Sequence, residues 1–220
     1  MSKLIPRIKT TNANWPDRQA IRYHNKLINK YWKNQNDTSA GTLPEFSIQN
    51  RSSSQARDIS WDMQTVSHLL KRTVTGSTLE EIHTLVNDGM ETSIQNLLAE
   101  QELPPPPGEW VSEELPDWNS LSSEERQGII QSYHNRMRAF QRWWAQRMIN
   151  GEMNITEIMT LFWHSYFTSA YSKVFYPQAM YQQNNIFRTL CMGNFKDLLR
   201  QVTFGPAMMI WLDISGSRKE

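Results

Sequence analysis

EIMTLFWHSYFTSAYSKV, residues 157–174, is the most apolar and aromatic run of the chain, and its period decides the fold class. Ile155, Ile158, Met159, Phe162, Trp163, Tyr166 and Phe167 recur at spacings of three and four, which puts them on one face of a helix. Asn154 precedes the run and can accept a bond from a free first-turn amide, and Glu157 suits the positive helix end. Few charges interrupt the stretch, so the helix is expected to be buried on more than one side. Thr160, His164, Ser165, Thr168 and Ser169 make it too polar for a membrane span. Thr160, His164 and Thr168 are four apart and share a stripe. His164 is the histidine to consider for chemistry. Either it belongs to a polar site at the edge of the core, or a neighbouring carbonyl or hydroxyl satisfies it.

The same period extends in both directions. Asp62 can cap a helix carrying Val66, Leu69 and Leu70 that stops near Thr75-Gly76. Ser77 and Glu80 form a capping box for a helix with Leu79, Ile82, Leu85 and Val86, which ends at Gly89. Ile94, Leu97 and Leu98 mark a third helix, ended by the stiff run Pro104–Pro107. That run reads as one extended loop, although a proline run can also dock in an aromatic groove. Ser122 and Glu125 form a second box, opening a long helix with Ile130, Tyr133, Met137, Phe140, Trp144 and Met148 that stops at Asn150-Gly151. Beyond a break at Pro177, helices are predicted over about Gln178 to Met192 and from Phe195 to Gly205-Pro206, with a last apolar turn over Ala207–Leu212. No stretch alternates with period two, so almost no sheet is expected.

Two hundred and twenty residues suffice for one or two domains with a real core. Residues 1–33 form a polar segment plus a helix with Ala20, Ile21, His24, Leu27, Ile28, Tyr31 and Trp32 on one face. Residues 34–59 are rich in Asn, Gln, Ser and Thr and read as a linker. Residues 60–220 form the main helical domain. The net charge of +1 argues against a strong electrostatic partner such as duplex DNA. The single cysteine, Cys191, excludes an internal disulfide and a multi-cysteine zinc site. Residues 1–19 contain no apolar run of signal-peptide length, so as written the chain reads as cytoplasmic.

His68-Leu-Leu-Lys-Arg-Thr with Gly76, the proline run, MTLFWHSYF at 159–167, QNNIFR at 183–188, GNFKDLLRQV at 193–202 and PAMMIWLD at 206–213 occur in that order. Together they resemble the bacterial family called "domain of unknown function 1800", from about Asp62 to Glu220. The resemblance implies a mostly helical protein without an established activity. It also implies genes that neighbour those of a sulfatase-like family, and relatives that are often exported. Two positions where the family often carries histidine hold Tyr166 and Leu190 here. His68, His83, His134 and His164 then do not assemble the three or four ligands zinc needs, so no metal or cofactor is expected. Relatives continue past the segment matching Leu212–Lys219. The expected architecture is therefore all-α, an irregular multi-helix domain with long loops, incomplete at its C-terminus.

Three functions are expected to compete. The first is a binding or assembly protein acting with the sulfatase-like neighbour. The second is a hydrolase-like enzyme with His164 as acid or base, which needs a carboxylate such as Glu157, Asp197 or Asp213 beside it. The third is single-strand nucleic-acid binding by Arg136, Arg138, Phe140, Arg142, Trp143, Trp144 and Arg147, with bases stacked on the rings. No phosphate-binding glycine loop, G-x-S-x-G or H-E-x-x-H is present. The neighbouring carboxylates Asp58 and Asp62, or Glu124 and Glu125, read as helix caps.

Overall fold

The computed structural model describes residues 60–214. The expected helix and linker of residues 1–59 lie outside them. The described residues form nine α-helices, one 3-10 turn and no strand, so the fold is all-α. In chain order the helices are α1 Met63–Thr73, α2 Leu79–Asp88, α3 Met90–Leu98, α4 Ser123–Asn150, α5 Thr156–Tyr166, α6 Tyr171–Val174, α7 Pro177–Leu190, α8 Phe195–Phe204 and α9 Pro206–Trp211; the 3-10 turn is Glu109–Ser112. No helix among the described residues is long and apolar enough to cross a membrane.

The caps set the helix starts. The Asp62 carboxylate accepts from Thr65 N at 2.9 Å, which lowers its pKa through that backbone bond. The capping box of α2 differs from the sequence reading by one residue: it is Thr78 with Glu81, not Ser77 with Glu80. Both pairs satisfy the pattern. In this helix Leu85 is in the core and Leu79 lies at the exposed helix start. Ser122 and Glu125 form the expected box of α4, with Ser122 N donating to Glu125 Oε2 at 2.7 Å. Gly89 ends α2 and starts α3 at φ +81°, a conformation that glycine adopts without strain.

The helices α1 to α3 pack on one another around Val66, Leu70, Val74, Leu85 and Leu97. This three-helix lobe is tied to the rest at the corner between α4 and α5. There Met153 packs against its core, Ile155 N donates to Leu97 O at 3.1 Å, Asn154 Nδ2 donates to Ala99 O at 2.8 Å, and Thr75 bonds to the Met148 carbonyl. A second core joins α4, α6, α7 and α9 through Tyr133, Phe140, Val174, Met180 and Ile210. A third joins α7, α8 and α9 through Ile186, Phe187, Leu198, Val202 and Met208.

The hub is therefore α7. Nine of its residues are buried, four of them polar or charged, and it packs against α4, α5, α6, α8 and α9. The 157–174 run is less central than its sequence suggests. It is not one helix: α5 ends at Tyr166, with Phe167 as its C-cap, and α6 begins at Tyr171. The break is held by α7, because Gln183 Nε2 donates to Phe167 O at 3.3 Å and the Ser169 hydroxyl bonds to Gln183 Oε1. The expected burial on several sides also fails. Phe162 is 50% exposed and Tyr166 66%. The apolar stripe is wider than the neighbours available to cover it.

Candidate functional site

Glu157 opens α5 and points into the domain. Arg188, in the last turn of α7 and 5% exposed, meets it with two parallel bonds: Nε to Oε1 at 3.0 Å and Nη2 to Oε2 at 2.9 Å. This fork-to-fork geometry gives directional as well as Coulombic binding. Trp144 of α4 donates its indole N–H to Glu157 Oε2 at 3.0 Å, and Arg147 Nε lies 3.8 Å from Oε1. The remaining side of the guanidinium is also occupied. Arg188 Nη1 donates to Asn184 Oδ1 at 2.8 Å, and its carbon lies 5.1 Å from the centre of the Trp143 ring. Three helices are thereby joined by one charged pair. A buried pair of this kind contributes little net stability but makes loss of either partner costly.

His164 lies on α5 two turns after Glu157. Its ring meets Trp144 edge to face at 5.4 Å and Phe187 at 6.2 Å. Desolvation by this apolar surrounding lowers the imidazole pKa below its ordinary value, so the ring is neutral at pH 7. Trp144 thus turns its N–H to Glu157 and its ring to His164. Among the described residues no carboxylate bonds to His164. Glu157 is held by Arg188 and Trp144, Asp213 pairs with Lys173 at 2.9 Å, and Asp197 lies in the first turn of α8. The polar stripe around His164 does not converge. Thr160 donates to the Thr156 carbonyl and Thr168 to the Ser165 carbonyl, each within its own local chain.

The other histidines stand apart. His134 packs on Tyr171 and Phe175 at 5.9 and 6.2 Å, while His68 and His83 are exposed. Among the described residues no group of three His, Cys, Asp or Glu is placed to hold a metal ion. Cys191 is buried, and burial pushes its thiol pKa up, away from nucleophilic chemistry at neutral pH.

The run of arginines and rings on α4 resolves into structural partners. Phe140 is 3% exposed, and Trp143 and Trp144 pack against the core. Arg136 pairs with Glu113 at 2.6 Å, and Arg138 bonds to Asn135. Trp143 donates its indole N–H to the carbonyl of Pro105 at 3.0 Å. The proline run thus lies on an aromatic surface of its own chain.

The family model described as a protein of unknown function (DUF1800) matches residues 68–220. The chain belongs to the DUF1800 family. The match contains Glu157, His164, Asn184, Arg188, Trp143 and Trp144, so the whole charged junction lies inside the DUF1800 region. Comparison with curated proteins and with solved structures finds no match. The DUF1800 assignment therefore brings a fold region without a reaction.

Sequence reading did not single out Arg188 or Asn184. The available signal was a lone arginine among the apolar residues of QNNIFR, four positions after an asparagine: such an arginine needs a carboxylate, and Glu157 was the carboxylate on the most apolar helix.

Proposed function

We propose that this chain is a helical binding or assembly protein, and that its partner is the sulfatase-like product of the neighbouring gene implied by the family resemblance. The observation that carries this reading is an aromatic surface on α5 and α8. Phe162, Tyr166 and Phe195 are 50%, 66% and 50% exposed. They are linked by ring contacts through Trp163: Phe162 at 4.9 Å, Tyr166 at 6.1 Å and Phe195 at 5.8 Å. A contiguous exposed aromatic patch is expensive in water, and aromatic residues are enriched in protein interfaces. The test is co-expression of the full chain with the neighbouring product, followed by affinity purification. Co-purification with the wild type, lost on Phe162→Ser with Tyr166→Ser, supports the reading. Clean separation from the wild type overturns it.

A hydrolase-like enzyme using His164 is the second reading. Its support is the neutral, base-competent imidazole beside Trp144. A base also needs an orienting partner, and none is bonded to this ring among the described residues. The reading fails if His164→Ala leaves every hydrolase assay and ligand-induced shift unchanged. Single-strand nucleic-acid binding gains no support from α4, because its rings are packed inward and Arg136 is paired.

A further inference from the structure

The proline run is the motif that neither reading uses. Pro104 to Pro107 cross α4 where Trp143 donates to the Pro105 carbonyl. Trp143 is held on three sides. Phe140 stacks near it at 6.0 Å, Tyr181 of α7 meets it edge to face at 5.8 Å, and Arg188 lies over its ring. The strap is closed at its far end by Trp110, which packs on Tyr181 at 6.5 Å. Gly108 permits this closure: a methyl there would come within 2.7 Å of the Trp110 indole.

These are the elements by which proteins recognise proline-rich chains. A proline segment is already extended, so its ordering costs little entropy. Its carbonyls are strong acceptors without intramolecular partners, and flat rings match the pyrrolidine faces. An indole N–H donating to a carbonyl inside the run supplies the directional bond. Pro105 and Pro106 remain exposed on the outer side, so the strap lies on the surface rather than being built into the core.

We propose that the Trp143–Tyr181 surface is a proline-recognition groove that the chain fills with its own Pro104–Pro107, and that a proline-rich extended segment of a partner protein binds there by displacing this strap. The groove lies on α4 and α7, on different helices from the α5–α8 aromatic patch, and the proposal stands without that reading. The seated strap itself defines the chemistry of the occupant. It also sets the competition: a tethered segment acts at an effective concentration of about millimolar, so partners bind the intact chain weakly.

The test uses the full chain and a fluorescein-labelled peptide copying residues 102–109, ELPPPPGE, read by fluorescence anisotropy. In the variant Pro104→Ala with Pro107→Ala, which replaces the two half-buried prolines of the run, the strap loses its fit and the groove becomes available. The expected result is binding at least about tenfold tighter than to the wild type. Binding should disappear when Trp143→Phe is added, and a peptide with the four prolines replaced by alanine should not bind. Gly108→Ala is the independent second variant, because its added methyl lifts Trp110 without altering Trp143 or the prolines. It should also raise peptide affinity. Thermal melts followed by circular dichroism identify which variants remain folded. The proposal is overturned if a folded strap variant binds no peptide, if wild type and variant bind equally, or if binding survives Trp143→Phe.

Discussion

Arg188→Met is the perturbation that most directly tests the charged junction. The substitution keeps length and apolar bulk while removing the charge and three bonds, two to Glu157 and one to Asn184. Glu157, only 13% exposed at its side chain, is left with the Trp144 indole and with Arg147 at 3.8 Å. Breaking a buried pair from one side costs about 3–5 kcal/mol, and the nearby Arg147 places this case toward the lower end. For a domain of this size each kcal/mol moves the midpoint by about 2–4 °C, so Tm should fall by about 10 °C. The assay is urea and thermal unfolding of the full chain, followed by far-UV circular dichroism. The double variant Glu157→Gln with Arg188→Met removes both charges and retains an acceptor for Trp144. It should be more stable than Arg188→Met alone, with a coupling energy above about 1.5 kcal/mol. A loss below about 1 kcal/mol for Arg188→Met, or simple additivity in the cycle, would refute the view that this pair clamps α4, α5 and α7.

Two other outcomes are expected. Burial depresses the His164 pKa below its ordinary 6.5, so as pH falls the unfolded ring takes up its proton before the folded ring does. The wild type should therefore lose stability as pH drops from 6.5 toward the lower folded value. The contribution has a slope of at most about 1.4 kcal/mol per pH unit and should be absent from His164→Phe; parallel stability–pH curves for the two proteins would contradict the assignment. Gly89→Ala should cost about 1–3 kcal/mol in urea unfolding, because φ +81° strains a side-chain residue although nothing lies within 4 Å of the added methyl. An unchanged midpoint would mean that the α2–α3 junction relaxes freely.

The helices were legible because local signals mark them. Asp62, the Ser122–Glu125 box and Gly89 all act at helix ends as their chemistry requires. Where two local signals overlap, as at Ser77-Thr78 and Glu80-Glu81, the local pattern alone gives no choice between them. The 157–174 run misled for a different reason. Periodicity reports which residues share a face but not whether another helix arrives to cover it, nor that Gln183 captures Phe167 O and helps hold the break. The junction was unreadable in the same sense. Glu157 and Arg188 are thirty-one residues apart, and only the crossing of α5 over α7 brings them together. His164 was visible as a member of the polar stripe with Thr160 and Thr168, but its setting against Trp144 and Phe187, with no carboxylate bonded to it among the described residues, is a property of packing.

The corner between α4 and α5 has a mechanical meaning. The lobe of α1 to α3 closes its own apolar core and is fastened there by Met153 and by a few bonds to Thr75, Leu97, Asn96 and Ala99. Such an attachment rests on one apolar side chain and a few hydrogen bonds, far fewer contacts than hold α7 among its five neighbouring helices. Under pulling force, or in native-state hydrogen exchange, the first event would be the parting of this seam, with amides at the corner released before those inside α7.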